Sequence, residues 1–149
     1  MRDLWTNLNK EIPKYFSELA EKFSLKFVTI SNVKTALIAD RYAIVISVDR
    51  FSVNLDYIKR DISGELVVLC CGNYFAEKYD SSDRVNLVSG NGVRETIINN
   101  FIVINNGLLN KWVNVLQGSS DWIENFEKSK WYNQRKCVSV EKAAIEKYL

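Results

Sequence analysis

Between residues 25 and 58 four short runs rich in β-branched and aromatic residues follow one another: Leu25 to Ile30, Thr35 to Ala39, Tyr42 to Val48 and Ser52 to Ile58. Breaks of about two residues, at Ser31-Asn32, Asp40-Arg41 and Asp49-Arg50, separate them. Connections that short join only antiparallel neighbours, because a parallel pair needs a crossover of roughly a dozen residues. Val53, Leu55 and Tyr57 alternate with Asn54 and Asp56, as in a strand with one wet face. The chain is therefore expected to build a four-stranded antiparallel meander.

The segments on either side read as helical. Trp5, Leu8, Ile12, Tyr15, Phe16, Leu19, Ala20 and Phe23 recur at steps of three and four, opposite Lys10, Lys14, Glu18, Glu21 and Lys22. Pro13 interrupts this stripe at a cost of about 3 kcal/mol if it lies inside a helix. A helix over about Lys10 to Phe23 is expected, with Pro13 either kinking it or standing in its first turn. Leu66 to Cys71 is too short for periodicity to separate strand from helix. Asp61 to Gly64 before it and Gly72-Asn73 after it are breakers. From Val93 a long stripe (Ile97, Ile98, Phe101, Ile102, Asn105, Leu108, Leu109, Trp112, Val113, Leu116) runs to a capping glycine at Gly118. Asp121 with Glu124 resembles a capping box opening a short helix that carries Ile123 and Phe126. A final helix from Ser139 is expected to bury Val140, Ala143, Ala144 and Tyr148. The expected fold is one α+β domain over residues 1–149: an N-terminal helix, a four- to five-stranded antiparallel meander, and C-terminal helices packed on one face of the sheet.

Composition then narrows function. Twenty Lys and Arg against 18 Asp and Glu leave +2 on 149 residues, which gives no bulk attraction to nucleic acid or anionic membranes. Histidine is absent. That removes Ser-His and Cys-His catalysis and His-ligated zinc. Three cysteines, two of them adjacent at Cys70-Cys71 and none in a CxxC, make no disulfide or zinc framework. Residues 1–7 hold no apolar core followed by a small-residue cleavage site, and the longest apolar run, Leu66 to Cys71, falls far short of about 20 residues. A cytoplasmic protein with no membrane attachment is expected.

Motifs for chemistry are equally sparse. No Asp or Glu stands two residues before a Lys anywhere in the chain, which argues against a restriction-type nuclease centre. Asp49, Asp56, Asp61 and Glu65 match no cation loop and read as exposed strand or turn residues. Ser31-Asn32-Val33-Lys34 and Ser139-Val140-Glu141-Lys142 match Ser-x-x-Lys, but one lies at a strand turn and the other reads as an N-cap serine with an exposed lysine. Gly90-Asn91-Gly92 precedes a helix, yet Glu95 would repel phosphate, so a turn is the simpler reading. Cys70 and Cys71 have no base to activate them and read as small buried hydrophobes.

No catalytic residue, metal ligand or cofactor site is therefore expected, and protein binding is left as the leading function. Four Trp and seven Tyr supply the residue types that dominate interfaces. Asp56, Glu77, Tyr79, Asp80 and Asp83 form the candidate face for a basic partner. Fifteen asparagines with abundant Ile and Lys suggest AT-rich bacterial coding sequence. The expected class is a small bacterial immunity or antitoxin-type protein that blocks a toxin domain. The alternative is a single-stranded nucleic-acid binder using Lys128, Lys130, Trp131, Tyr132, Arg135 and Lys136, cations interleaved with rings.

Overall fold

A computed structural model describes residues 2–149, with side chains from Leu4 onward. Met1 lies outside the described residues. The N-terminal stripe forms three helical segments rather than one: α1 (Arg2–Lys10), α2 (Ile12–Tyr15) and α3 (Ser17–Phe23). Pro13 stands in the first turn of α2, where its missing N–H costs nothing, and the chain bends on each side of that turn. Leu8, Ile12, Phe16 and Leu19 are buried along the common face. At its end α3 turns through Ser24 in the left-handed conformation, and Leu25 N–H bonds back to Ala20.

The sheet is antiparallel throughout, in the order β1 (Lys26–Ser31), β2 (Lys34–Ile38), β3 (Ala43–Asp49), β4 (Ser52–Arg60), β5 (Leu66–Leu69) and β6 (Gln134–Lys136). The first four match the expected meander, and Leu66–Leu69 resolves as a strand. The sixth is short and wholly polar, and it returns from the far end of the chain to pair with β5. Arg50, at φ 47°, makes the β3–β4 turn. At the β4–β5 turn Gly64 has φ 88°, and Asp61 Oδ1 accepts from the backbone of Ser63 and Glu65.

After β5 the chain forms α4 (Gly72–Ala76), a 3-10 turn at Ser81–Asp83, α5 (Val93–Lys111), α6 (Val113–Leu116) and α7 (Asp121–Glu127). These pack with α1–α3 on one sheet face, over Leu37, Ile44, Ile46, Leu55, Tyr57 and Leu69. Trp112 interrupts the long stripe between α5 and α6, and its indole N–H donates to Phe75 O at 3.0 Å. Phe75, Trp112, Trp122 and Phe126 form a contiguous aromatic cluster. The capping box expected at Asp121 is not formed. Ser120 is the N-cap, and Asp121 Oδ1 accepts from the Asn114 amide.

The final helix, α8 (Ser139–Ile145), crosses to the other sheet face and covers Ile30, Ala36, Ile38, Ala43, Val45, Ile58, Leu66 and Val68 with Ile145. β3 is consequently buried on both faces from Ala43 to Val48. The buried stripe of α8 is Glu141 and Ile145, with Ala144 half-buried, whereas Val140 and Ala143 face solvent. The expected stripe is rotated because a carboxylate, not an aliphatic side chain, points inward. Among the described residues no helix is long and apolar enough to cross a membrane.

Candidate functional site

Strand lengths create the main concavity. β4 runs nine residues, but β5 pairs only with Tyr57–Arg60, because the chain leaves the sheet at Cys70-Cys71 to start α4. The first half of β4 therefore has β3 on one side and no strand on the other, leaving a notch in the sheet. Bonds from Ala39 N–H to Tyr42 O and from Val48 N–H to Val33 O show which β3 residues bond to β2. By antiparallel alternation Ser52, Asn54 and Asp56 direct their main-chain groups to β3, and Val53 and Leu55 direct theirs to the notch. Gly72 closes the Leu55 end, where a Cβ would lie 3.1 Å from Leu55 O. Val53 is left with an open edge.

The notch is a cleft of about 890 Å³. Its two sides differ in character because neighbouring β4 side chains point to opposite faces. On the helical side lie Val48, Val53, Leu55, Ala76, Tyr79, Val103 and Ile104. On the other lie Lys34, Ser47, Asn54, Asp56 and Cys70. Among the described residues, the side chains of Asn54, Asn73, Arg84 and Asn100, all lining the cleft, hydrogen-bond to no other protein group. Pockets that take a ligand or a partner side chain combine an apolar wall with a few such free polar groups.

Behind Asp56 stands a polar network. Arg135 and Glu141 form a two-pronged pair at 2.8 Å on both branches, with Lys34 Nζ at 3.4 Å and the Val138 N–H at 3.0 Å on the same carboxylate. Burial by itself would raise the Glu141 pKa, but Arg135, the Val138 N–H and Lys34 hold it down to about 2. Asp56 is placed differently. Its closest cation is Arg135 at 3.8 Å, beyond hydrogen-bond range, and its side chain is 16% exposed. Burial raises its pKa and the Glu141 charge adds to that, while Arg135, Lys34 and the Cys70 thiol only partly offset it.

The remaining candidate residues are dispersed. Tyr79 and Asp80 line the cleft with Asp56. Tyr79 is seated against Gly107 of α5, where a Cβ would come within 2.2 Å of its ring. Glu77 instead borders a separate shallow groove with Tyr74, Lys78, Trp112 and Lys130. Asp83 is fully buried and accepts from Lys111 Nζ, Asn110 Nδ2 and the Asp80 N–H at 2.8, 2.8 and 2.9 Å. It fixes the loop. Asn106 bonds to Asp83 O and Val85 O, and Asn99 to both main-chain groups of Val88, so one face of α5 holds residues 83–88 in place. Val103, on the cleft wall, and Gly107, beneath the Tyr79 ring, are also buried, and the helical stripe omitted both.

Around residues 128–136 no stacking platform forms. Trp131 packs into the main core, Tyr132 lies edge-on to Phe126, Lys128 pairs with Glu124, and Arg135 is held by Glu141. Lys130 sits 5.0 Å from the ring of Trp131, while Lys136 is exposed on β6. Lys34 of the first Ser-x-x-Lys match reaches Glu141 rather than Ser31, whose hydroxyl accepts from Val33 N–H. Cys71 is buried in the core and Cys70 faces Asp56. Burial, with the nearby Asp56 charge, pushes both thiols up, away from nucleophilic character. Among the described residues no three His, Cys, Asp or Glu side chains converge to hold a metal ion.

Comparison with protein-family models, with curated proteins and with solved structures gives no match.

Proposed function

We propose that the chain is a non-catalytic protein-binding module of the immunity type, which binds a cognate toxin domain and blocks it. The notch carries this reading. It is a preformed cleft beside an unpaired strand edge, with amides and a guanidinium that have no intramolecular partner among the described residues and a carboxylate whose nearest cation lies 3.8 Å away. Rigid elements frame it: the β3–β4 hairpin, α4, and the segment that asparagines fasten to α5. Fixed walls favour recognition, because little ordering entropy is lost on binding. Phe51, 62% exposed at the hairpin tip between cleft residues Asp49 and Ser52, adds an aromatic contact of the kind enriched at interface centres. The nucleic-acid reading lacks comparable support, since its central cation, Arg135, is bound to a buried carboxylate.

The test is association with the toxin domain encoded beside this chain. Calorimetry is expected to give nanomolar affinity, and the complex is expected to lose toxin activity. A neighbouring toxin that neither binds nor is inhibited would refute the reading.

A further inference from the structure

Three places hold chemistry not yet assigned: the Glu141 network, the groove beside Trp112, and the open edge of β4. The network is internally saturated, with its carboxylate fully buried. The groove is shallow, and Lys78 lies over the Trp112 ring at 4.2 Å. The edge is different, because among the described residues the main-chain groups of Val53 have no strand opposite them and the Asn54 side chain has no hydrogen-bond partner.

We propose that the partner enters the notch as an extended strand pairing with Val53 along the open edge of β4, with basic side chains alternating with apolar ones. The main-chain part of this follows from register. Val53 directs both its N–H and its C=O into the cleft, and an unpaired edge is a template for another strand. Gly72 closes the edge at Leu55, so the open stretch runs from Ser52 to Asn54, about 7 Å between its end residues at roughly 3.4 Å per residue, room for a short segment in register with Val53.

The side-chain part follows from alternation. An incoming residue opposite Val53 points to the same face as Val53, toward Val103 and Ile104, and so is apolar. Its two neighbours, opposite Ser52 and Asn54, point to the other face, where Asp56 lies diagonal to the second. Charge selects what they are. Asp49, Asp56 and Asp80 line the cleft with Lys34 and Arg84; Asp80 is paired with Lys111 at 3.2 Å and Lys34 with Glu141 at 3.4 Å, which leaves Asp49 and Asp56 against Arg84. Asp56 lacks a close hydrogen-bonding cation, and a lysine or arginine from the partner supplies one.

The inference rests on the protein-binding reading, but its test does not depend on which protein the partner is. The ¹⁵N-labelled protein is titrated with a blocked hexapeptide of alternating valine and lysine, and separately with its valine–glutamate counterpart. Saturable amide shifts are expected at Val53, Asn54, Asp56 and Tyr79 with the lysine peptide alone. Asp56→Asn, which keeps the side-chain shape, is expected to weaken binding about tenfold. Val53→Pro removes the edge-facing donor at a position where proline is tolerated, together with part of the apolar wall, and is expected to abolish binding. Shifts confined to the groove at Tyr74 and Trp112, equal response to both peptides, or unchanged affinity in Asp56→Asn would each overturn the proposal. So would no shift at all, and pairing of the protein with itself through this edge would assign the notch to a second copy instead. Toxin binding without peptide binding would leave the protein-binding reading standing and remove the strand mode.

Discussion

Two carboxylates approach the same guanidinium on the second face of the sheet, and they are treated in opposite ways. Glu141 takes both branches of Arg135 at 2.8 Å, a lysine and a backbone N–H, and its pKa falls to about 2. Asp56 stands 3.8 Å from Arg135, and burial raises its pKa. The first carboxylate fastens α8 to β2 and β6. The second stands in a partly desolvated cleft with its nearest cation outside hydrogen-bond range. The Glu141 pair is completed within the chain, whereas Asp56 is left without a cation at hydrogen-bond distance, which is what the proposed partner would supply.

The sharpest way to break this contrast is Glu141→Gln, which leaves Arg135 and Lys34 facing an uncharged amide. A loss of about 3–5 kcal/mol is expected in denaturant unfolding, the usual cost of breaking a buried pair. Its pH signature is specific. Because the folded pKa is depressed below the ordinary value of 4.5, the stabilisation is complete above about pH 4.5 and lost as pH falls toward 2. The stability gap between the wild type and Glu141→Gln should therefore shrink over that window.

Next in size is the seating of the cleft wall. Gly107→Ala places a methyl within 2.2 Å of the Tyr79 ring and is expected to cost about 1–3 kcal/mol. Its mark beyond stability is displacement of the Tyr79 ring, readable as changed aromatic shifts. Asp83→Asn weakens the hold on Lys111 and should cost about 1–3 kcal/mol. Limited proteolysis is expected to cut residues 83–88 faster in this variant. Asp56→Asn is the smallest and has the opposite sign. A carboxylate with a raised folded pKa is destabilising above that pKa, so removing its charge is expected to add about 0.5 kcal/mol at pH 7.

The sheet was readable in the sequence because two-residue breaks leave antiparallel pairing as the only geometry. The strands β1 to β4 fall within a residue or two of the apolar runs. β6 was not readable. Gln134-Arg135-Lys136 has no apolar residue, and its place depends on a partner strand more than sixty residues away. Glu141 was hidden for a related reason. On a helix beside Lys142 it resembles a solvated charge, and one of its cations, Lys34, lies 107 residues earlier. Asp56, Tyr79 and Asp80 were found as candidates, but the notch joining them arises from where β5 ends, which no local pattern encodes. The asparagines of α5 did carry a signal. Asn99, Asn106 and Asn110 recur near one helical face, a polar stripe with work to do against the loop.

The most direct measurement pairs binding with stability in a single variant. Wild type and Asp56→Asn are compared for affinity toward the toxin domain encoded beside the chain, and for unfolding midpoint in the same buffer. The expected result is affinity about tenfold weaker with an unfolding midpoint equal or higher. Unchanged affinity, or a midpoint lowered as a structural ion pair would lower it, would contradict the assignment of Asp56 to a partner.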